Sequence, residues 1–151
     1  DLSMAKLDVP THFLGNISDL SAKHSEKEFD YLVIASGPEP YKSNFMGKLL
    51  AHLAKLDKKI AVAGWKSESI NSDFIVFLGL LNRTEMQNYI CKSEKVIAKA
   101  GYTTILDLEK TKTEAILVPT PKQYEQEYLS QYLEYHRLFT FKLENEIESI
   151  G

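Results

Sequence analysis

The sequence predicts an α/β domain, a mostly parallel sheet with helices on both faces, and three observations carry that expectation. Short apolar runs, "YLVIAS", "KKIAVAG", "DFIVFLG", "KVIAKA" and "AILVP", recur with little polar alternation, as strands covered on both faces do. Helical patterns lie between most of them, in the order β-α-β-β-α-β-α-β-α, which calls for parallel strands joined by crossover helices. With 151 residues, 44% of them hydrophobic, the chain can bury one sizeable core, so one domain is expected.

Each element follows from its own pattern. The opening "VPTHFLGNISDL" holds Phe13 and Leu14 between Pro10 and Gly15, which suggests a brief strand or a docked linker. "SAKHSEKEF" is polar and loop-like, and "YLVIASGPEP" then gives a central strand that stops at Ser, Gly and Pro. In "NFMGKLLAHLAKL", Phe45, Leu49, Leu53 and Leu56 recur at helical spacing, and Met46 and Leu50 widen the stripe. Two strand-like runs follow, separated by a turn-rich segment carrying Trp65. Asn82 with Glu85 three residues on reads as a helix start close to a capping box. "KVIAKA" is a strand, "TTILDLEK" a short helix, "AILVP" a strand, and "YEQEYLSQYLEYH" a helix packing Tyr128, Leu129, Tyr132 and Leu133. Residues 12–135 are expected to form the core, 1–11 the remnant of a linker, and 143–151, "LENEIESIG", an acidic tail that is frayed or helical. The whole is Rossmann-like.

Composition excludes several classes of function. A formal net charge of −3 and a pI near 5.8, with lysines scattered, give no electrostatic footprint for a phosphate backbone, so nucleic acid is not an expected partner. The single cysteine, Cys91, allows no intrachain disulfide and no cysteine cluster for zinc, which fits a reducing compartment. The four histidines, His12, His24, His52 and His136, lack metal-ligand spacing and read as surface or satisfied core groups. No apolar run approaches the roughly 18 residues that span a bilayer, and no signal peptide opens the chain, so the cytoplasm is the expected location. The absence of an initiator Met suggests a processed or truncated product.

In sheets of this kind ligands sit beyond the carboxyl ends of the strands, so four loops matter: "SGPEPYKS", "GLLNRTEM", "AKAGYTT" and "PTPKQYEQ". In "AKAGYTTILD", Gly101 permits a tight turn and the helix that follows presents unpaired N–H groups, a site suited to phosphate or a polar sugar. Thr103, Thr104 and Asp107 can share one face of that helix. The plainer reading is that Thr103 caps the helix and Asp107 is a first-turn acid favoured by the dipole. Asp107 and Glu109 cannot chelate one ion together, because residues two apart on a helix point about 200° apart. "SGPEPYKS" has one glycine, Gly37, and neither P-loop nor dinucleotide spacing, so any ligand there would meet backbone amides and the hydroxyls of Ser36 and Ser43. In "PTPKQYEQEYL", Gln126 and Glu127 come early in a helix, where an amide and a carboxylate can take sugar hydroxyls or lie on the surface without a ligand.

The stretch "KVIAKAGYTTILDLEKTKTEAILVPTPKQYEQEYL" resembles the carboxy-terminal, donor-binding half of a family 28 glycosyltransferase of the two-domain GT-B type, including the branch that adds N-acetylglucosamine to the lipid-linked peptidoglycan precursor. The likeness runs from about Phe13 to Leu133 and is specific from Lys95 to Leu129. Lys99, Ala100 and Gly101 match a strand end that is Arg-Ser-Gly or Arg-Ala-Gly in the family, with Lys for Arg. Thr104 and Asp107 stand where the family has a Thr and then an acid that binds the ribose hydroxyls. Gln126 and Glu127 stand at a Gln-Gln pair that contacts the donor sugar, so one amide becomes a carboxylate. Lys122 replaces a glycine. Asn82, Arg83 and Met86 fall at the uracil pocket, and Ser36 and Gly37 at a glycine-rich loop whose Gly-Gly-Ser pattern is absent here.

The resemblance implies a bacterial UDP-sugar-binding domain of an inverting transferase acting on a UDP-N-acetylhexosamine, with Gly101, Tyr102, Thr103 and Thr104 at the diphosphate. It implies no metal and no cofactor besides the donor substrate. The acceptor site and catalytic base would belong to an amino-terminal domain, in the same or another chain, that this sequence lacks. That half could associate peripherally with the inner face of a membrane, and this half alone would bind donor without turnover. Two rivals stand beside this expectation: a nucleotide-sugar 2-epimerase half, whose carboxylates and histidines are not recognisable here, and a non-catalytic binding module with a decayed site, favoured by Lys122 and Glu127.

Overall fold

The structure, a computed structural model, describes residues 16–66, 73–135 and 139–151. The expected strand at Phe13 and Leu14, the residues His12 and His136, and the side chains of Tyr132 and Leu133 lie outside the described residues. Among the described residues six strands form one sheet: β1 (Phe29–Ile34), β2 (Ile60–Ala63), β3 (Ile75–Gly79), β4 (Ser93–Lys99), β5 (Glu114–Val118) and β6 (Thr140–Phe141). Four α-helices, α1 (Tyr41–Leu53), α2 (Arg83–Lys92), α3 (Tyr102–Thr111) and α4 (Tyr124–Tyr135), join them, and a 3-10 helix, Glu144–Ser149, follows.

The strand order is β3-β2-β1-β4-β5-β6 and every pairing is parallel. The chain winds outward from β1 to β3, crosses back, and winds outward again from β4 to β6. The reversal falls between β1 and β4, whose register runs from Phe29↔Ser93 to Ile34↔Ala98. A crevice outside the carboxyl ends of two such strands is where sheets of this type receive ligands.

Both faces of the sheet are covered, which explains the unbroken apolar runs. Val33, Val62 and Ile97 face Phe45, Met46, Leu49, Leu50 and Leu53 of α1, joined by Ile147 and Ile150 of the tail. Leu32, Ala61, Val96, Ala98 and Leu117 face Ile90 of α2 and Ile105 and Leu108 of α3 on the other side, where Leu20 also packs. Trp65 packs at the edge of the first cluster.

One expectation needs correction: the sheet gains a sixth strand, Thr140–Phe141, that no periodicity announces. Of the two forms expected for the acidic tail the helical one is found, a 3-10 helix over Glu144–Ser149; Ile147 and Ile150 are buried against α1 and the Ile150 carbonyl meets His52 Nε2 at 2.6 Å. Burying these two apolar side chains outweighs the acidity of their neighbours, whose carboxylates stay near water.

Candidate site at the carboxyl edge of the sheet

The loops after β1, β3, β4 and β5 carry the residues that the sequence singles out, and each opens into a helix. After β4 the chain turns at Gly101, the N-cap of α3, in extended conformation (φ −84, ψ 141). Gly101 has no side chain with which to cap, so the first-turn N–H groups of α3 remain available for an anion or polar ligand. A methyl group on Gly101 would meet no heavy atom within 4 Å, so the backbone there is open to close approach. Thr103 is exposed and is not the cap, and Asp107 lies beyond the first turn, so the plain capping account of this motif does not hold. Tyr102 is exposed and Thr104 half-buried.

Asp107 turns inward on α3 and is only 7% exposed. Arg83, the first residue of α2, reaches it with two parallel bonds, Nη1 to Oδ2 at 2.5 Å and Nη2 to Oδ1 at 2.7 Å. The same guanidinium donates from Nε to Asp19 Oδ1 at 2.7 Å. Ser18 Oγ donates to Asp107 Oδ1 at 2.6 Å. Hydrogen bonds to Asp107 and then Asp19 raise the Arg83 pKa still further above its ordinary value, so its charge is fixed. The bond from Arg83 holds the Asp19 carboxyl below its usual range.

Arg83 is positioned by a firm helix start. Asn82 accepts from the Glu85 amide at 3.0 Å, and Glu85 accepts from the Asn82 amide at 2.8 Å, the reciprocal capping box that the sequence suggests. Asn82 therefore spends its side-chain oxygen on the backbone. Met86, one turn on, is half-buried against the α2–α3 core.

After β1, Ser36 is half-buried and Gly37 takes φ +102, with nothing near the position of a side chain. The α1 amino terminus beyond them is already served by an acid: Glu39 accepts from the Ser43 amide at 3.2 Å and from its hydroxyl. After β5, Gln126 Oε1 accepts from the Thr120 amide at 2.8 Å and Glu127 Oε1 from the Lys122 amide at 3.1 Å. These two side chains hold the loop in which Lys122 adopts φ +66.

Thus Asn82, Arg83, Met86 and Asp107 come together where α2 meets α3, while Ser36 and Gly37 sit on the α1 side and Gln126 and Glu127 at the α4 entrance. Ser18 and Asp19, absent from the sequence-based candidates, belong to the first group. The turn formers of "NISD" hint at them, since the Ser18 amide donates to Asn16 Oδ1 at 2.9 Å. Lys99, at the end of β4, is buried beneath the tail, ion-paired with Glu144 and 4.4 Å above the Phe45 ring. Burial lowers its pKa, and the Glu144 carboxylate opposes that shift. Among the described residues no group of three His, Cys, Asp or Glu could hold a metal ion, and no helix is long and apolar enough to cross a membrane. A hollow of about 610 Å³ lined by Lys27, Phe29, Lys59 and Asp73 opens at the opposite, amino edge and contains none of the candidate residues.

The model of the glycosyltransferase family 28 C-terminal domain matches residues 17–149. No curated protein matches. Among solved structures, MurG of Acinetobacter baumannii superposes with a TM-score of 0.62 at 12% identity, covering 84% of this chain and 41% of MurG. The glycosyltransferase SnogD of Streptomyces nogalater gives 0.59 at 12% identity, with 95% and 37% covered. At such identity these likenesses establish the fold, a Rossmann-like half of the GT-B kind, and the chain spans about two fifths of each neighbour's length.

Proposed function

The chain belongs to the glycosyltransferase family 28 C-terminal domain family, and from that premise we propose that it binds the nucleotide sugar of an inverting transferase, a UDP-N-acetylhexosamine. The observation that carries this reading is the turn at Gly101. It sits beside the switch between β1 and β4, opens a helix whose first amides have no side-chain cap, and lies on the same helix as the buried Asp107.

In this reading the α3 amides and Gly101 face the diphosphate, where preorganised N–H dipoles stabilise the charge that grows on the leaving group as the glycosidic bond breaks. Asp107 takes the ribose hydroxyls, Met86 and the backbone at Asn82 and Arg83 meet the uracil, and Gln126 and Glu127 face the sugar. No metal enters the scheme. The acceptor and the base that deprotonates it come from an amino-terminal domain, and this chain alone binds donor without turnover.

Calorimetric titration with UDP tests the reading. Binding is expected, weakened in Asp107→Ala by about 1 to 3 kcal/mol, the scale of hydrogen bonds to a charged group. Equal affinity in the variant would remove the ribose assignment, and no binding of UDP or of any uridine or thymidine diphosphate sugar would favour a second reading. That reading is a non-catalytic module, and the observation in its favour is that Asp107 already has partners in Arg83 and Ser18.

A further inference from the structure

We propose that Ser18 and Asp19 form an internal stand-in for the nucleotide, a latch that occupies the Asp107–Arg83 pair and is released when the donor enters; this rests on the donor-binding reading above. The segment lies across α2 and α3 and is fastened at several points. Asn16 Nδ2 donates to the Leu106 carbonyl at 2.9 Å and to Glu109 at 2.7 Å, Leu20 is buried, and Gln87 Nε2 donates to the Ser21 carbonyl at 3.0 Å. Between these anchors it presents two groups to the site: a hydroxyl to Asp107 and a carboxylate to Arg83. A nucleoside diphosphate presents the same two chemistries, ribose hydroxyls and an anion.

Counting acceptor positions shows that both cannot be accommodated at once. A carboxylate offers about four lone-pair sites. Asp107 gives up three of them, one to Ser18 and two to Arg83. A vicinal diol needs two, so at least one bond must open when ribose arrives. The forked, charge-assisted pair with Arg83 is the stronger of the two attachments, so the Ser18 hydroxyl is the one that yields. Asp19 is 71% exposed at its side chain, whereas Asp107 is 10% exposed, so Asp19 is also the acid that solvent can readily take up. Its departure frees Nε of Arg83 for an anion.

The device is autoinhibitory: the fraction of molecules with the latch closed lowers the apparent affinity for donor by that fraction.

The test uses the full chain and UDP as the probe. Calorimetric titration compares the wild type with Ser18→Ala, Asp19→Asn and the double variant, and hydrogen exchange follows the amides of residues 16–21 in the wild type with and without UDP. The double variant is expected to bind UDP roughly tenfold more tightly, the gain of removing a competing closed state. UDP is expected to speed exchange at Ser18 and Leu20, whose amides are bonded within the latch. Equal or weaker binding by the double variant, or exchange that UDP slows or leaves unchanged, overturns the latch while leaving the donor-binding reading intact. Absence of UDP binding in every protein, the double variant included, overturns both.

Discussion

Arg83 and Asp107 grip each other end-on across the α2–α3 contact, with both terminal guanidinium nitrogens on the two oxygens of one carboxylate at 2.5 and 2.7 Å. The acid is nearly buried and the base is 43% exposed, so the pair is neither a surface ion pair of negligible value nor a fully sequestered one.

Removing the guanidinium leaves a buried carboxylate with Ser18 as its remaining side-chain partner here. Arg83→Met is therefore expected to lower the unfolding free energy by about 1 to 3 kcal/mol, less than the loss expected of a fully buried pair because the base is partly in water. Arg83→Lys should recover only part of it, since a point charge cannot reproduce the fork. Urea unfolding of the three proteins checks this; a Met variant with an unchanged midpoint would show that the pair contributes nothing to folding.

Three glycines separate backbone demands from space for a ligand. Gly64 has φ +75, and a methyl there would lie 2.9 Å from the Ala35 carbonyl oxygen, so Gly64→Ala should cost about 2 kcal/mol or more. Gly37 has φ +102 but open surroundings, so Gly37→Ala should suffer the backbone strain alone, about 1 to 2 kcal/mol. Thermal unfolding with Gly64→Ala no less stable than Gly37→Ala would contradict the ordering.

Gly101→Ala is expected to behave differently from both. Its φ of −84 suits any residue and nothing crowds the site, so the loss of stability should stay within about 1 kcal/mol. If a diphosphate packs against that turn, the added methyl intrudes on it and UDP affinity falls at least severalfold. A stable variant with full affinity would move the diphosphate elsewhere.

Lys99 makes a pH-dependent contribution whose sign is fixed by burial. Desolvation lowers the folded pKa of Lys99 below its ordinary 10.5, so the unfolded chain holds the proton more tightly than the native one. Stability from this group therefore rises as pH climbs from the folded pKa toward the unfolded value. The difference in unfolding free energy between the wild type and Lys99→Met should grow in favour of the wild type across that window. A pH-independent difference would mean that the amine is solvated in the native state.

How much of this was legible in the sequence depended on range. Ile60–Ala63 and the other strands betray themselves by unbroken apolar runs because helices cover both faces, and Asn82 with Glu85 signals a helix start from four consecutive residues. The β6 strand, two residues long, is too short to carry a period. The burial of Ile147 and Ile150 is masked by the acids between and around them. Ser18 and Asp107 are 89 positions apart and Asp19 and Arg83 64, so no local spacing could announce their contact. The family likeness identified Asp107 and Arg83 as candidates, but their pairing with each other comes only from the folded chain.

The tail, finally, determines how the molecule can be mounted. It leaves β6 at the carboxyl edge, passes Glu144 over Lys99, runs down α1 to His52, and finishes with Gly151 beside Asp30, Tyr31 and Lys95 at the far rim. A tether attached beyond Gly151 would emerge opposite the Gly101 turn, so a sensor surface holding the protein by that end would present the turn to the flowing solution.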